Sequence, residues 1–245
     1  MSKLAIMQPY FFPYLGYFQL INYVDQFALY GHVDFRRRSF ITRNHIVTVK
    51  DDILPISIKT NKQPLGTPIK DIQLSDTTCK VKLCKQIHHQ YAKSPYFSEI
   101  YPVLESTILQ PPMDILSFNT STIQAICQLL GIQTELLLPI DYEQAWSNIE
   151  QDLTVLNVVK PDIPISSQRV FDLCDLHDAK TYVNPPGGQR LYDESMFFQY
   201  KLQLEFLHPN LSGHRPHLGG AAQYASIIDV LMVNGVANTQ KLLCL

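Results

Sequence analysis

The apolar run Lys3 to Met7 (KLAIM) predicts a short buried strand, and Pro9 just beyond it lacks the backbone donor that a longer strand needs. From Gly16 onward, Tyr17, Leu20, Ile21 and Val24 recur at helical spacing, which predicts a helix of two to three turns. Phe27 to Tyr30 reads as a second strand. Strand, loop, helix, strand is the order of a βαβ unit in a parallel sheet, whose ligands bind at the carboxyl ends of the strands beside the helix N-terminus.

Alternation of apolar residues in Ile46 to Lys50 and Ile53 to Lys59 around Asp51-Asp52 predicts an antiparallel hairpin. After a loop at 61–68, Ile69 to Leu74 reads as another strand. Asp76 or Thr77 then caps a helix running to about Tyr91, with Cys79, Leu83 and Ile87 on one stripe. Phe97 to Ile108 gives a second helix, and Ile115 to Leu130, stopped at Gly131, one or two more. Residues 76–131 are therefore a largely helical block.

Beyond the block, the pattern predicts a strand at Thr134 to Pro139 and a polar stretch around Trp146, followed by a proline-rich loop at Lys160 to Ile165. A helix from near Ser167 to Asp178 leads to a strand at Thr181 to Asn184 and the rigid turn Pro185-Pro186-Gly187-Gly188. A strand at Leu202 to Leu207 and a helix from about Gln223 to Val233, stopped at Gly235, close the pattern. The expectation is an α/β fold: a Rossmann-like, mostly parallel (mixed) sheet opening with a βαβ unit, with the helical block inserted or packed on it, in a single domain over 1–245.

Composition narrows the function. The formal charge is −2 at a sequence pI of about 6.4, so no general positive field exists to hold a nucleic acid backbone, and nucleic acid is not expected as the main partner. The one basic run is Arg36-Arg37-Arg38, a length that serves as a solvated edge or holds one phosphate. Five cysteines without a CxxC pair predict reduced thiols, no apolar run of about 20 residues spans a bilayer, and a soluble cytoplasmic protein is expected.

The segment MQPYFFPYLGYFQLI crowds two prolines and six aromatics around Gly16. At the head of a helix after a strand it suits a phosphate or carboxylate, with Gln8, Tyr14, Gly16 and Tyr17 as candidate binding residues. Its Tyr14-x-Gly16-Tyr17 spacing is similar to the His-x-Gly-His element of nucleotidylyltransferases, with tyrosine in place of both histidines and hence no positive charge. Arg43 suits a carboxylate or phosphate, Asn44 a sugar hydroxyl, and Asn184, Gly187 and Gly188 mark a second rigid turn open to a ligand.

His32 and Asp34 share a face if the second strand continues past Tyr30, which makes them a candidate general base, and His88 is a further one. His88-His89 diverge around a helix, and His208, His214 and His217 lack zinc spacing, so no metal and no cofactor are predicted. The cysteines read as core thiols. Asp229, inside the apolar IIDVLM, is either exposed or turned inward and paired.

Taken together, MQPYFFPYLGYFQLINYVDQF, TRNHI, SPYF, YVNPPGGQRLYD and IIDVLMVNG resemble, in order along nearly the whole chain, the WbqC-like protein family. The resemblance implies a role in bacterial surface-polysaccharide and O-antigen biosynthesis, with transfer of glycine or another acyl unit to an amino sugar. It implies as partners a nucleotide-linked or lipid-linked sugar and an activated amino-acid donor or carrier protein. A competing expectation is a non-catalytic nucleotide-sugar binding module, or an enzyme like the nucleotidylyltransferases. The chain departs from the family pattern at Gly31-His32, where an acidic pair is usual, and at Thr42, where asparagine is.

Overall fold

The fold is that of a computed structural model, which describes residues 2–48, 50–111, 113–143, 146–147 and 164–245. The chain forms two compact units, each built from separated stretches: Met1–Met7, Leu20–Tyr30 and Thr134–His208 in the first, Gln8–Gln19, Gly31–Gln133 and Pro209–Leu245 in the second.

The first unit holds a five-stranded sheet of β1 (Lys3–Met7), β2 (Gln26–Leu29), β5 (Glu135–Leu137), β6 (Thr181–Asn184) and β7 (Gln203–Phe206). The spatial order is β5-β2-β1-β6-β7 and every pairing is parallel, so this is the Rossmann-like α/β sheet expected, with its reversal of strand order between β1 and β6. Helix α1 (Leu15–Tyr23) makes the first crossover. Leu4, Ala5 and Ile6 in β1 and all four residues of β6 are buried, as in a sheet covered on both faces. Phe171 and Cys174 of α5 (Ile165–Leu176) and Phe197 of α6 (Glu194–Gln199) pack with Leu4, Ile6 and Tyr182. Trp146 is buried in the same cluster, edge-on to Tyr30. The proline-rich loop expected at Lys160 to Ile165 lies, up to residue 163, outside the described residues.

The second unit contains the helical block: α2 (Thr78–Tyr91), α3 (Phe97–Ile108) and α4 (Ile115–Leu129), with α7 (Ile227–Leu242). Helix α3 packs against the other three, burying Ile100, Leu104 and Ile108. Helix α2 starts where Asp76 accepts from the Cys79 N–H at 3.1 Å, and Asp114 caps α4 by accepting from the Ser117 N–H at 2.7 Å. The hairpin of β3 (Arg43–Val47) and β4 (Ile53–Ser57) is a separate antiparallel pair rather than part of the parallel sheet, so no mixed sheet forms among the described residues.

Three expectations are corrected. Strand β3 begins at Arg43, not Ile46, because Thr42 already extends the ladder through the Ile58 N–H. Ile69 to Leu74 is no strand: Ile69–Asp71 is a 3₁₀ turn, and Gln73 and Leu74 make only isolated bridges. The last helix begins at Ile227, not near Gln223, because Gly220–Tyr224 is a 3₁₀ turn; it breaks at Gly235 as expected, where φ is 70° and ψ 177°, and a second helical stretch of α7 runs from there to Leu242.

Candidate functional site

Clamping of carbonyls explains the aromatic segment at the N-terminus. Between Gln8 and Pro13 the chain is neither helix nor strand, so its buried carbonyls need donors from elsewhere. Tyr17 donates its hydroxyl to the Gln8 carbonyl at 2.9 Å, and Asn119 donates to Pro9 at 2.7 Å. Asn44 donates to the Phe12 carbonyl at 2.7 Å and Ser226 to the same oxygen at 2.8 Å, while the Ile227 N–H holds Pro13 at 2.8 Å. Phe11 and Phe12 are fully buried, edge-on to each other, with Phe118 beside both. The prolines and these clamps make a rigid loop.

That rigidity shapes a cavity of about 250 Å³ walled by Tyr10, Pro13, Tyr14, Phe40, Asn44 and Tyr224. Tyr14 and Tyr224 pack tilted at 46° with 5.5 Å between ring centroids, and Tyr10 packs on Phe40 at 44° and 5.6 Å. Burial, reinforced by the neighbouring Tyr224 and Tyr10, pushes the Tyr14 hydroxyl up to about 12, and burial also raises Tyr10. At neutral pH these hydroxyls are neutral hydrogen-bonding groups. The walls are carbon-rich rings with a few polar tips, the composition of a small-molecule site, and the volume lies below the roughly 300–1,000 Å³ of drug-sized pockets. It suits one ring.

The residues singled out from the sequence fare differently. Gln8, Tyr14, Gly16, Tyr17 and Asn44 all belong to the clamped loop and its supports, but only Tyr14 and Asn44 line the cavity. Tyr17 is buried, with its hydroxyl on Gln8 and its acidity well below the ordinary value through burial. Gly16 is needed for close approach: an added Cβ would stand 2.5 Å from the Tyr14 ring and 2.6 Å from Pro209. Gly16→Ala is expected to cost about 1–3 kcal/mol by overpacking and to shift Tyr14, seen as a lower thermal midpoint and altered near-ultraviolet circular dichroism.

Arg43 and Asn44 are neighbours on β3, so their side chains leave opposite faces, and Arg43 is exposed where Asn44 is buried. The Asn44 amide is already committed: its Nδ2 reaches Phe11 and Phe12, and its Oδ1 accepts from the His45 N–H at 2.9 Å. The shared strand face expected for His32 and Asp34 does not exist, because β2 ends at Leu29 and residues 33–35 instead pair with 67–69. His88 is an exposed residue of α2, edge-on to Phe97 and Tyr101.

In the first unit, Asn184 ends β6 at the reversal of strand order, where doubly wound sheets take ligands. Its amide donates to the Tyr182 hydroxyl at 3.2 Å and lies where a Cβ of Gly188 would be, 2.5 Å away, whereas Gly187 faces open space. Both glycines thus permit close approach, Gly188 by its own neighbour and Gly187 from outside.

Sequence reasoning missed a buried charge network around Asp229. This carboxylate, fully buried, accepts from the Tyr91 hydroxyl at 2.5 Å, from His214 Nε2 at 2.8 Å and from Arg215 through Nε at 2.7 Å and Nη2 at 3.1 Å. Asn234 Nδ2 meets His214 Nδ1 at 3.1 Å, so the network is satisfied by the Nε2–H tautomer of His214. Burial alone would raise the Asp229 carboxyl; the hydrogen bonds from His214, Arg215 and Tyr91 outweigh it and hold the group below its ordinary 3.8. Asp229 in its apolar run was the one available signal, and its partners are 14 to 138 residues away.

A family model described as the WbqC-like protein family matches residues 8–241. The chain belongs to that family. This WbqC-like chain is similar to uncharacterized protein Rv1507c of Mycobacterium tuberculosis, 27% identical over 238 residues, covering 94% of this chain and 93% of the relative. It is also similar to uncharacterized protein yosX of Bacillus phage SPbeta, 32% identical over 101 residues, covering 41% and 78%. No solved structure matches. Among the described residues, no helix of the WbqC-like chain is long and apolar enough to cross a membrane, and no cluster of His, Cys, Asp and Glu is arranged to hold a metal.

Proposed function

We propose that this protein binds an amino sugar of bacterial surface-polysaccharide assembly in the aromatic cavity and serves transfer of a glycyl or other acyl unit to the sugar amine. The observation that carries the reading is the cavity itself: three tyrosines, Phe40 and Pro13 around a space for one ring, on the clamped loop of Gln8 to Pro13. Aromatic faces cover the C–H faces of a sugar while hydroxyl tips meet its polar edge. The family resemblance supplies the polysaccharide context.

In amide formation the free amine attacks the acyl carbon, the donor's leaving group departs, and the ammonium formed loses a proton to solvent. The protein's part is to hold amine and donor in one geometry. Among the described residues no histidine or carboxylate lines the cavity, and burial keeps the Tyr14 hydroxyl protonated, so it is no base at pH 7. This favours positioning over acid–base catalysis. It also favours the second reading, a module that only holds the sugar for a partner enzyme.

Tyr14→Ala and Tyr224→Ala are each expected to weaken binding of glucosamine about five- to tenfold in calorimetry, since each removes one wall. Incubation with a nucleotide-linked amino sugar and activated glycine, followed by mass spectrometry, should show the acylated sugar. Binding without added mass under any activated donor selects the holding module. If no amino sugar binds, both readings fall.

A further inference from the structure

The charge of this chain is unevenly placed. Residues 35–50 and 53–70 hold eight lysines and arginines and no aspartate or glutamate, in a chain with 20 basic and 22 acidic residues. The fold brings these two stretches together: β3 and β4 pair, the Ile58 N–H bonds the Thr42 carbonyl, and Phe35 N–H bonds Thr67. Between them lies a second cavity of about 230 Å³, whose lining includes Arg37, Arg38, Lys62, Thr42, Thr60 and Asn61. No carboxylate is part of that lining, and no ion pair to Arg37, Arg38 or Lys62 occurs among the described residues.

Two details show that the cavity is held in shape. Arg37 Nη2 donates to the Gln63 carbonyl at 2.8 Å, tying one wall to the other. Arg38 adopts φ of 59°, a left-handed conformation that disfavours any side chain other than that of glycine or asparagine. A strained arginine turned into an uncompensated basic cavity beside two threonine hydroxyls is an arrangement suited to phosphate oxygens.

We propose that this cavity binds the phosphate groups of an activated sugar, a diphosphate whose sugar ring occupies the aromatic cavity. The segment from Arg37 to Asn44 lines both spaces: Arg37, Arg38 and Thr42 face one, Phe40 and Asn44 the other. The sugar half of this assignment rests on the reading of the aromatic cavity given above; the phosphate half does not. A nucleic acid backbone is the less fitting occupant, because it needs a basic stripe long enough to track successive phosphates, whereas the basic lining here belongs to one small pocket.

The test is calorimetry on the full chain with inorganic pyrophosphate, glucosamine and UDP-glucosamine as probes. Pyrophosphate is expected to bind, more weakly as sodium chloride rises. Arg37→Gln and Arg38→Gly should each weaken it about tenfold, the loss of one charge-assisted contact. Arg38→Gly also relieves the left-handed strain, so its thermal midpoint should stay level or rise while binding falls, separating lost function from lost folding. Tyr14→Ala should leave pyrophosphate binding unchanged. The nucleotide sugar should bind more tightly than either fragment, and both Arg37→Gln and Tyr14→Ala should remove that gain.

Wild-type protein that does not bind pyrophosphate, or arginine variants that bind it as wild type does, would overturn the phosphate site whatever the sugar does. Pyrophosphate binding with no gain for the nucleotide sugar would overturn the shared ligand and count against the sugar reading alone. Oligouridylate binding more tightly than pyrophosphate through the same arginines would replace the small ligand with RNA.

Discussion

Asp229→Ala is expected to lower the unfolding free energy by about 3–5 kcal/mol, the largest effect of any single substitution considered, because it strands the Arg215 guanidinium, His214 and the Tyr91 hydroxyl without their shared acceptor. Asp229→Asn keeps the shape and should cost less. Urea unfolding followed by circular dichroism measures both, and equal stability of Asp229→Ala and wild type would show that the network contributes nothing. A triple replacement of Asp229, Arg215 and His214 by apolar residues of similar volume should be milder than the single loss, since no buried charge is left over.

The same network sets a pH dependence. The Asp229 carboxyl is lowered in the folded chain, so its contribution is complete above the ordinary 3.8 and is lost as pH falls through its lower folded value. Tyr91 is raised, first by burial and then by the Asp229 charge, so its contribution is complete below the ordinary 10.0 and is lost as pH rises beyond it. Stability from these two groups is therefore level between about pH 4 and pH 10 and falls on both sides. Asp229→Asn should flatten the acid limb.

Gly235→Ala is the second large effect. A φ of 70° with ψ of 177° is a region open to glycine and to little else, at a cost of order 1–3 kcal/mol for alanine. The new Cβ would also stand 2.5 Å from the Tyr96 ring, adding an overpacking cost of about 1–3 kcal/mol. A loss of roughly 2–5 kcal/mol is expected in thermal or urea unfolding. An unchanged midpoint would mean that the kink relaxes into a straight helix.

Local patterns made most of the fold legible. KLAIM, the helix after Gly16 and the Phe27 strand appear within a residue or two of their expected places, because each buries an apolar stripe of its own period. Helix α6 leaves no legible pattern: six residues with one buried side chain, Phe197, carry too little periodicity. Ile69 to Leu74 resembles a strand because apolar Ile69, Ile72 and Leu74 are closely spaced, yet Ile69–Asp71 is a 3₁₀ turn packed against α4, followed only by isolated bridges.

The candidate site was legible in place and not in detail. A proline-and-glycine loop after a strand signals a ligand edge at Tyr14, and Tyr14 walls a cavity. Tyr224 and Phe40 carried no such signal; their relevance arises from tertiary neighbours far along the chain. Asn44 suits a sugar hydroxyl by residue type alone, whereas its amide is occupied by carbonyls 32 and 33 residues away, a use that no local pattern reveals.

The central position of β1 has a consequence for how the chain is made. Its neighbour on one side, β2, follows within some twenty residues, but Lys3 and Leu4 pair on the other side with Thr181 and Tyr182. At a ribosomal rate of roughly 5–20 residues per second, that flank of Leu4 waits on the order of 10–40 seconds for its partner. Through that interval an apolar strand edge stands open to other nascent chains, which makes the yield of native protein sensitive to translation speed and to holding chaperones.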